Sequence, residues 1–279
     1  MANPSSSLSA RAFLVGCLLC GAAVCWAQNA IPVAQDPQAS NLVPNPGFER
    51  GDTAQPAQWT LANPLTHFWE SGGLDGRFLR FDTDVYLREV RGADKWTGQP
   101  PRKTPPTGNR YDTVAGTEGV RSWSAPIRVE PGRRYLMQVD VKGPGGTPFV
   151  YLKGFRKLTA EDAKEHGTLR FFRRHENGPA YSLLVGGTEK RNPEAGDFLQ
   201  TYRARLVCHL PGDGKWRRFH RTIKLQTRKN YRAEVVLLML YAYWPPGEYC
   251  FDNVVLRPIG EAEARSWDRR RTPHGVLLE

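Results

Sequence analysis

PGRRYLMQVDV, residues 131–141, is the stretch from which the fold class of this chain follows. Its first two residues, Pro131-Gly132, are typical of tight turns, because proline fixes φ and glycine accepts a positive φ. Apolar and polar residues then alternate, with Tyr135, Met137, Val139 and Val141 on one face and Gln138, Asp140 and Lys142 on the other. Since successive side chains of a strand point to opposite faces, the stretch predicts a turn followed by a half-buried β-strand.

Similar segments recur along the body of the chain and are separated by turn sequences such as PGDG and PPG. The predicted strands are 77–81, 149–155, 216–225, 233–244 and 249–257. The fourth of these is apolar on both faces, which is typical of a central strand. Helical signal is weak, and its best candidate is 159–165, with Thr159 as N-cap. Many short strands with frequent turns predict an all-β sandwich, formed as one domain by residues 41–260.

The composition agrees with such a fold and excludes two other classes of protein. The chain has 279 residues with 27 Gly and 22 Pro, a content that favours frequent turns over a helical bundle. Apolar residues make up 40%, which is enough for a core and argues against a wholly disordered chain. No apolar stretch reaches the roughly 20 residues that span a bilayer, so a multi-pass membrane protein is excluded.

Residues 1–27 resemble a secretory signal peptide, because an apolar run follows Arg11 and Cys25-Trp26-Ala27 is similar to a small-x-small cleavage site. One alternative is an N-terminal membrane anchor, for which the run is too short. The other is a lipoprotein signal at Cys17, which follows Arg11 too closely. We therefore predict cleavage after Ala27 and a protein that is secreted, periplasmic or at the cell surface.

Two segments flank the predicted domain. Residues 28–40 are rich in Ala, Gln, Pro and Ser, which predicts a linker. Residues 261–279 form a basic tail, for which we expect a helical turn over 261–268 and a mobile remainder.

Cleavage would leave two cysteines, Cys208 and Cys250, in an oxidising compartment. Both are expected to face a core, because they alternate with apolar neighbours: Cys208 with Leu206 and Leu210, and Cys250 with Val254 and Leu256. A disulfide and two separate buried thiols remain equally open, because the Cα separation decides between them. No Cys/His ligand spacing follows residue 27, which argues against a zinc site.

Five segments carry, in order along the chain, a resemblance to a known family. They are 41–49 (NLVPNPGFE), Trp59, 127–135 (IRVEPGRRY), 214–216 (GKW) and 251–256 (FDNVVL). They resemble the opening, the following tryptophan, the V-x-P-G-x-x-Y hairpin, the G-x-W strand start and the closing D-D-V-x-L strand of CenC-like carbohydrate-binding modules (families 4, 9 and 22). The resemblance implies the jelly-roll β-sandwich of the galactose-binding-like superfamily, with two antiparallel sheets, and carbohydrate binding.

The chain departs from this group at three points. Asn253 replaces the second Asp of the closing strand, and two insertions occupy 82–121 and 157–203. Modules of the group are usually shorter and attached to a catalytic domain, whereas no remaining segment here is long enough to form one.

The resemblance also implies a structural calcium site. In similar modules the opening Glu and the closing-strand Asp, here Glu49 and Asp252, contribute carboxylates together with backbone carbonyls. Hard cations prefer such oxygen ligands, and the site would pin the first strand to the last. The alternative is that Asp252 caps a turn or pairs with an arginine.

Six strand residues are candidates for carbohydrate contact: Gln138, Asp140, Tyr151, Lys153, Tyr241 and Tyr243. Aromatic rings cover the flat CH faces of sugars, while polar neighbours bond the hydroxyls. If their strands are neighbours, these side chains would line one concave sheet. The alternative is a core position, and we expect Trp59, Trp123 and Trp216 in the core or at its rim. Trp69 and Trp96 lie in polar stretches and are expected to be exposed.

Positive charge bears on the choice of partner, since 39 Lys plus Arg against 28 Asp plus Glu give a formal net charge of +11. One insertion carries Arg170, Arg173, Arg174 and His175. Arginine forks suit the carboxylates or sulfates of an acidic glycan, and the alternative is a solvated basic surface. Nucleic acid is disfavoured by the export signal and by the absence of a recognised motif.

Catalytic signatures are weak. A polysaccharide lyase could use Tyr151, His220 and Arg218 against a uronate, and a glycosidase would need two facing carboxylates, for which Asp140 and Glu234 are candidates. Neither set has a recognisable spacing, and no GxSxG, HExxH or P-loop motif occurs. The sequence therefore predicts non-catalytic carbohydrate binding. The alternatives are a lyase or hydrolase on the same fold, and a surface structural or interaction protein.

Overall fold

The computed structural model of the chain describes residues 41–52, 55–92, 112–159, 170–174, 181–185 and 198–278. Its elements in chain order are β1 (His67–Ser71), β2 (Arg77–Asp82), α1 (Leu87–Arg91), β3 (Val120–Trp123), β4 (Ile127–Arg128), β5 (Arg134–Lys142), β6 (Phe149–Lys157), β7 (Arg170–Arg174), β8 (Tyr181–Val185), β9 (Phe198–Val207), β10 (Arg217–Lys224), a 3-10 helix (Lys229–Tyr231), β11 (Val235–Ala242), β12 (Glu248–Ile259), α2 (Glu261–Arg269) and β13 (Val276–Leu277). The prediction of an all-β fold is confirmed. The predicted signal peptide, linker and helix after Thr159 lie outside the described residues, as do Trp96 and His175.

The strands form two sheets in which every pairing between named strands is antiparallel. The six-stranded sheet has the order β1-β2-β12-β5-β10-β13, and the seven-stranded sheet has the order β3-β11-β6-β9-β7-β8, with β4 also paired to β11. The alternating strand of residues 131–141 is β5, which lies between β12 and β10 at the centre of the first sheet. The doubly apolar strand is β11, which has neighbours on both edges as predicted.

A single hydrophobic core packs the inner faces of the two sheets against each other. It contains the predicted apolar face of β5 together with alternate residues of β6 and β11, such as Val150, Leu152, Leu238 and Leu240. Trp59 joins this core with 3% exposure and lies 5.2 Å from the ring of Phe48. Because side chains alternate, the intervening residues of β5, β6 and β11 lie on the two outer faces of the sandwich.

A bulge in β12 changes the register predicted for Cys250. Pairing with β5 shifts between Asp252 and Val255, and the extra residue moves the alternation by one position. Cys250 therefore lies on the outer side opposite Lys142, whereas Cys208 belongs to the core. Both are buried free thiols, so the disulfide is not formed. Burial raises the pKa of Cys250 to about 12 and also raises the pKa of Cys208.

The tail after residue 260 is part of the fold. The predicted helical turn is confirmed and extends to α2, which buries Ala264 against Leu136 and Ile259 on the outer face of the six-stranded sheet. Beyond it, β13 pairs with β10 through Val276 and Leu277. Mobility of the remainder stays a prediction, although Val276 and Leu277 pair with the edge of the sheet. None of the helices among the described residues is long and apolar enough to cross a membrane.

Candidate functional site

Four aromatic rings cluster on the outer face of the seven-stranded sheet. Phe149 and Tyr151 belong to β6, Tyr241 belongs to β11, and Tyr243 follows the end of β11. The rings of Phe149 and Tyr243 are parallel to within 7°, with centroids 5.8 Å apart. Tyr241 lies 5.8 Å from Tyr243 and 6.4 Å from Phe149, at 18° and 17°, and Tyr151 is tilted beside Phe149 at 5.5 Å. We name these four residues the aromatic platform.

The surrounding backbone holds the platform in place. The hydroxyl groups of Thr147 and Tyr243 share a hydrogen bond of 3.2 Å. Gly119 has φ +65°, and a Cβ there would lie 2.5 Å from the Tyr241 ring, so only glycine allows this approach. Desolvation raises the pKa of Tyr241 above its ordinary value. Phe149, Tyr241 and Tyr243 are half-buried, and Tyr151 is 8% exposed.

Cations border the platform. Arg121 in β3 stands opposite Tyr241, and from β9 the guanidinium carbons of Arg203 and Arg205 lie 4.7 Å from the Tyr151 ring and 5.3 Å from the Phe149 ring. All three arginines are exposed, and we name them the platform arginines. Lys153, on the same face of β6, is buried with its Nζ 4.6 Å from the ring of Trp123.

The structure divides the six predicted contact residues between two opposite surfaces. Tyr151, Lys153, Tyr241 and Tyr243 come together at the platform, whereas Gln138 and Asp140 lie on β5 in the other sheet. The expectation of one shared concave sheet is therefore wrong, because β5 pairs with β10 and β12 and does not adjoin β6 or β11.

Asp140 is a buried carboxylate paired with Arg218, whose own side chain is partly exposed. Its two carboxylate oxygens each accept a 2.7 Å hydrogen bond from Arg218, and Oδ2 accepts another of 3.1 Å from Asn253. The carboxylate is 0% exposed. Gln138 instead lines a cavity of about 840 Å³ between the opening segment, β12 and α2, beside Arg218, Asn253 and Trp267.

The two carboxylates predicted to hold calcium flank the turn between β1 and β2. Glu49 Oε1 accepts a 2.8 Å hydrogen bond from the Arg77 amide, and Asp252 Oδ2 accepts one of 3.0 Å from the Leu74 amide. Gly47 faces both groups, since a Cβ there would lie 3.8 Å from Glu49 Oε1 and 3.9 Å from Asp252 Oδ1. Desolvation raises the pKa of Asp252 to about 6.

These residues fit the oxygen chemistry of calcium. Each carboxylate oxygen keeps a lone pair beside its hydrogen bond, and a buried carboxylate without a cationic partner gains most from a cation. Among the described residues, no group of three or more His, Cys, Asp or Glu side chains is placed to hold a metal ion. Glu49 and Asp252 would therefore need backbone carbonyl or water oxygens to complete the coordination.

The candidate catalytic sets are dispersed. His220 and Arg218 lie on β10 in the six-stranded sheet, whereas Tyr151 lies on the seven-stranded sheet. Asp140 is likewise separated from Glu234, which precedes β11 and pairs with Arg232 at 3.3 Å. Neither set can face a common substrate, since a sandwich separates the two sheets.

Sequence reasoning missed Phe149 and the platform arginines. Their signal was present, because Phe149 shares the period-two face of Tyr151, and Arg203 and Arg205 alternate with Ala204 and Leu206. Trp123 lies partly exposed on an outer face, where it packs against Phe155 and Leu237. The prediction for Trp69 is wrong. Trp69 is not a free surface residue: it packs against the core and donates a 2.8 Å hydrogen bond to the Phe48 carbonyl.

No protein-family model matches the chain, and no curated protein matches it. Solved structures with a similar fold include carbohydrate-binding modules of families 4, 16, 22 and 61. Families 4 and 22, to which the sequence motifs pointed, are among them.

Three of the similar solved structures illustrate how far the similarity extends in sequence and in structure. The chain is 11% identical to a family 4 module, with a TM-score of 0.35 and coverage of 78% of this chain and 99% of the module. A family 61 module in complex with β-1,4-galactotriose is 10% identical with a TM-score of 0.36, and the match covers 78% of this chain and 99% of that module. The enzymatically active domain of tailspike protein 4 from bacteriophage CBA120 is 10% identical with a TM-score of 0.41, and the match covers 80% of this chain and 22% of that one. At these identities and TM-scores the likeness carries no argument about ligand or activity.

Proposed function

We propose that this protein binds carbohydrate without chemical turnover, and that the aromatic platform is the contact surface. The observation that carries the proposal is the set of parallel, half-exposed rings of Phe149, Tyr241 and Tyr243 on the outer face of a sheet. Most aromatic side chains of a β-sandwich pack in its core. A group of them exposed on an outer face therefore favours a binding role.

Sugar rings match such a surface chemically. Their CH faces are apolar and pack on aromatic rings, while their hydroxyls need hydrogen-bond partners at the edge of the contact. The hydroxyl groups of Thr147, Tyr241 and Tyr243 supply such partners. Because Gly119 and Thr147 already position the tyrosines, little rotamer entropy would be lost on binding.

We propose binding without turnover because the candidate catalytic groups are far apart in the fold. The carboxylates of Asp140 and Glu234 are both engaged with arginines and belong to different sheets. A bound sugar on the platform would contact neither of them. The proposed role is therefore recognition of a poly- or oligosaccharide.

The test compares platform tyrosines with a tyrosine elsewhere. Tyr241→Ala and Tyr243→Ala should each weaken binding to soluble polysaccharides by about tenfold, since removing an aromatic anchor from a contact costs more than 1 kcal/mol. Tyr231→Ala removes an exposed tyrosine from the 3-10 helix and should leave binding unchanged. Isothermal titration calorimetry measures affinity, and thermal melting checks that each variant is folded.

Two results would overturn the proposal. One is failure of the wild-type protein to bind any glycan in a broad panel, particularly if it self-associates instead. The other is the release of reducing or unsaturated ends from a bound polysaccharide, which would indicate a hydrolase or lyase.

We also propose that Glu49 and Asp252 hold a structural calcium ion. Both carboxylates contact the β1–β2 turn. The opening segment that carries Glu49 is hydrogen-bonded to β12, since the Leu42 amide donates to the Leu256 carbonyl and the Val254 amide donates to the Pro46 carbonyl. A cation between them would tie the opening segment, the turn and β12 together. Its contribution would be to stability, because this carboxylate pair and the platform lie on different sheets.

A further inference from the structure

Charge is distributed very unequally between the two sheets. The strands of the seven-stranded sheet contain no Asp or Glu. Their basic residues are Arg121, Arg128, Lys153, Arg156, Lys157, Arg170, Arg173, Arg174, Arg203 and Arg205. The strands of the six-stranded sheet, by contrast, carry Asp and Glu among their cations. Most of the excess positive charge of the strands therefore lies on the sheet that bears the platform.

Five of the seven arginines in the strands of the six-stranded sheet are paired with a carboxylate of the protein, the exceptions being Arg77 and Arg221. Arg80 contacts Glu70 at 2.7 Å, Arg134 contacts Glu261 at 2.7 Å, and Arg217 contacts Asp213 at 2.6 Å. Two further pairs of the same kind are Arg218 with Asp140 and Arg257 with Glu263. Each of these cations already has its counter-ion and offers little to a ligand.

The platform arginines differ in this respect. Within the described part of the chain, none of Arg121, Arg203 and Arg205 has a carboxylate within 4.0 Å of its guanidinium nitrogens. Arg203 and Arg205 lie against Tyr151 and Phe149 instead. An aromatic ring holds a guanidinium in place through cation–π attraction but accepts none of its five N–H donors in the ring plane. These donors remain for an external acceptor.

The positions of these arginines fit one kind of ligand. Arg121 stands at the β3 side of Tyr241, and Arg203 and Arg205 stand on β9 beyond Phe149 and Tyr151. Neighbouring strands are about 4.8 Å apart, so the cations border the rings on two sides over roughly 14 Å. A sugar chain lying on Tyr241 and Tyr243 would bring its substituents to these guanidinium groups.

We infer that the platform selects anionic glycans, in which sugar rings bear carboxylate or sulfate groups. The inference rests on the proposed carbohydrate binding and adds the class of ligand. Both oxyanions have acceptor pairs that match the guanidinium fork, and charge-assisted hydrogen bonds of this type are about twice as strong as neutral ones. The tyrosines hold the ring faces, and the arginines discriminate by charge.

The experiment compares each charged glycan with its own uncharged form. The probes are polygalacturonate and alginate with their carboxyl-reduced forms, and a sulfated galactan with its desulfated form. The wild-type protein should bind at least one charged probe about tenfold or more tightly than its uncharged form, and added salt should reduce the difference. The two arms show whether carboxylate or sulfate is preferred.

Two double variants separate the platform from the general basic charge. Arg203→Gln with Arg205→Gln should remove about tenfold of the affinity for the charged probe and leave the uncharged form bound as before. Arg269→Gln with Arg271→Gln removes the same charge from the exposed tail, on the side of the six-stranded sheet, and should change neither affinity. Circular dichroism melting verifies the fold of both variants.

The outcomes distinguish this inference from the proposal beneath it. Equal binding of charged and uncharged forms, or equal losses in both double variants, would overturn the selection of anionic glycans while leaving carbohydrate binding intact. Failure of every probe to bind, charged or uncharged, would overturn both.

Discussion

Asp140 shows at the scale of one residue how the tertiary environment sets a role. Its position on the polar face of β5 made it a candidate for sugar contact. In the fold it is fully buried and accepts hydrogen bonds from Arg218 and Asn253. Removal of Arg218 would leave a buried charge uncompensated, which is far more costly than the loss of a surface pair. The residue therefore acts as an internal counter-ion.

Asp252 differs from Asp140 because its nearest polar contacts are backbone amides. Desolvation raises the pKa of Asp252 from 3.8 to about 6, so the folded protein holds this proton more tightly than the unfolded chain. Without calcium, this group therefore stabilises the fold fully below pH 4, and that contribution is lost as the pH rises toward 6. Calcium requires the deprotonated form, so its stabilising effect should grow over the same range.

Thermal melting with calcium or with a chelator tests this prediction. At pH 7 calcium should raise the melting temperature of the wild-type protein by about 5 °C or more. At pH 5 the shift should be much smaller. Asp252→Asn should abolish the calcium response and Glu49→Gln should weaken it. Asp213→Asn changes a carboxylate in a remote turn and should preserve the response. An unchanged wild-type melting temperature at pH 7 would exclude the calcium site.

At the scale of elements, α2 shows how a tail sequence becomes structure. Gly260 precedes it, and its first turn carries Glu261 and Glu263, which favour the positive end of the helix dipole. Trp267 packs with the cluster of Leu136, Ile259 and Ala264, and its ring centroid lies 4.9 Å from that of His220. The helix thereby covers the outer face of β5 and β10.

Removal of this indole should destabilise the protein. Trp267→Ala should lower the free energy of unfolding by about 2 kcal/mol, because it removes a partly buried aromatic contact and the hydrogen bond to Glu263. Arg265→Ala on the exposed side of the same helix should change it by less than about 0.5 kcal/mol. Urea unfolding followed by fluorescence measures both. Equal stability of the two variants would show that α2 is not anchored by Trp267.

The strands differ in how well sequence could predict them. The central strands β5, β6, β10, β11 and β12 were found, because burial on one or both faces imposes a clear pattern of apolar residues. The strands β1, β3, β7, β8, β9 and β13 were not predicted. Polar and apolar residues alternate clearly in half of β9, but its arginines led to its assignment to a basic insertion. The bulge in β12 could not be predicted, since it depends on pairing with β5.

For the whole molecule, the formal charge of +11 is best understood from where the charged residues lie on the two sheets. Five of the seven arginines of the six-stranded sheet have acidic partners, while the strands of the other sheet contain cations and no Asp or Glu. A one-sided charge distribution of this kind raises the local concentration of anionic partners and their rate of association. It would therefore support the proposed binding of anionic glycans at the platform.

Export is the remaining prediction about the whole chain. In a bacterial host, the protein should be recovered outside the cytoplasm with Gln28 as its first residue, as measured by intact mass and N-terminal sequencing. Cys17→Ser should be processed identically. Lipid attached to Cys17, or retention of Met1 in the exported protein, would contradict cleavage after Ala27.

The all-β class and the central strands could be predicted from the amino-acid sequence, because alternation and turn chemistry are local properties of the chain. The sequence also named six candidates for sugar contact, but only the three-dimensional fold shows which of them meet. Tyr151, Tyr241 and Tyr243 lie together, since β6 and β11 are paired, while Gln138 and Asp140 were carried to the opposite sheet by pairing of β5 with β10 and β12. Strand partnership depends on packing between residues far apart in sequence, which periodicity does not encode.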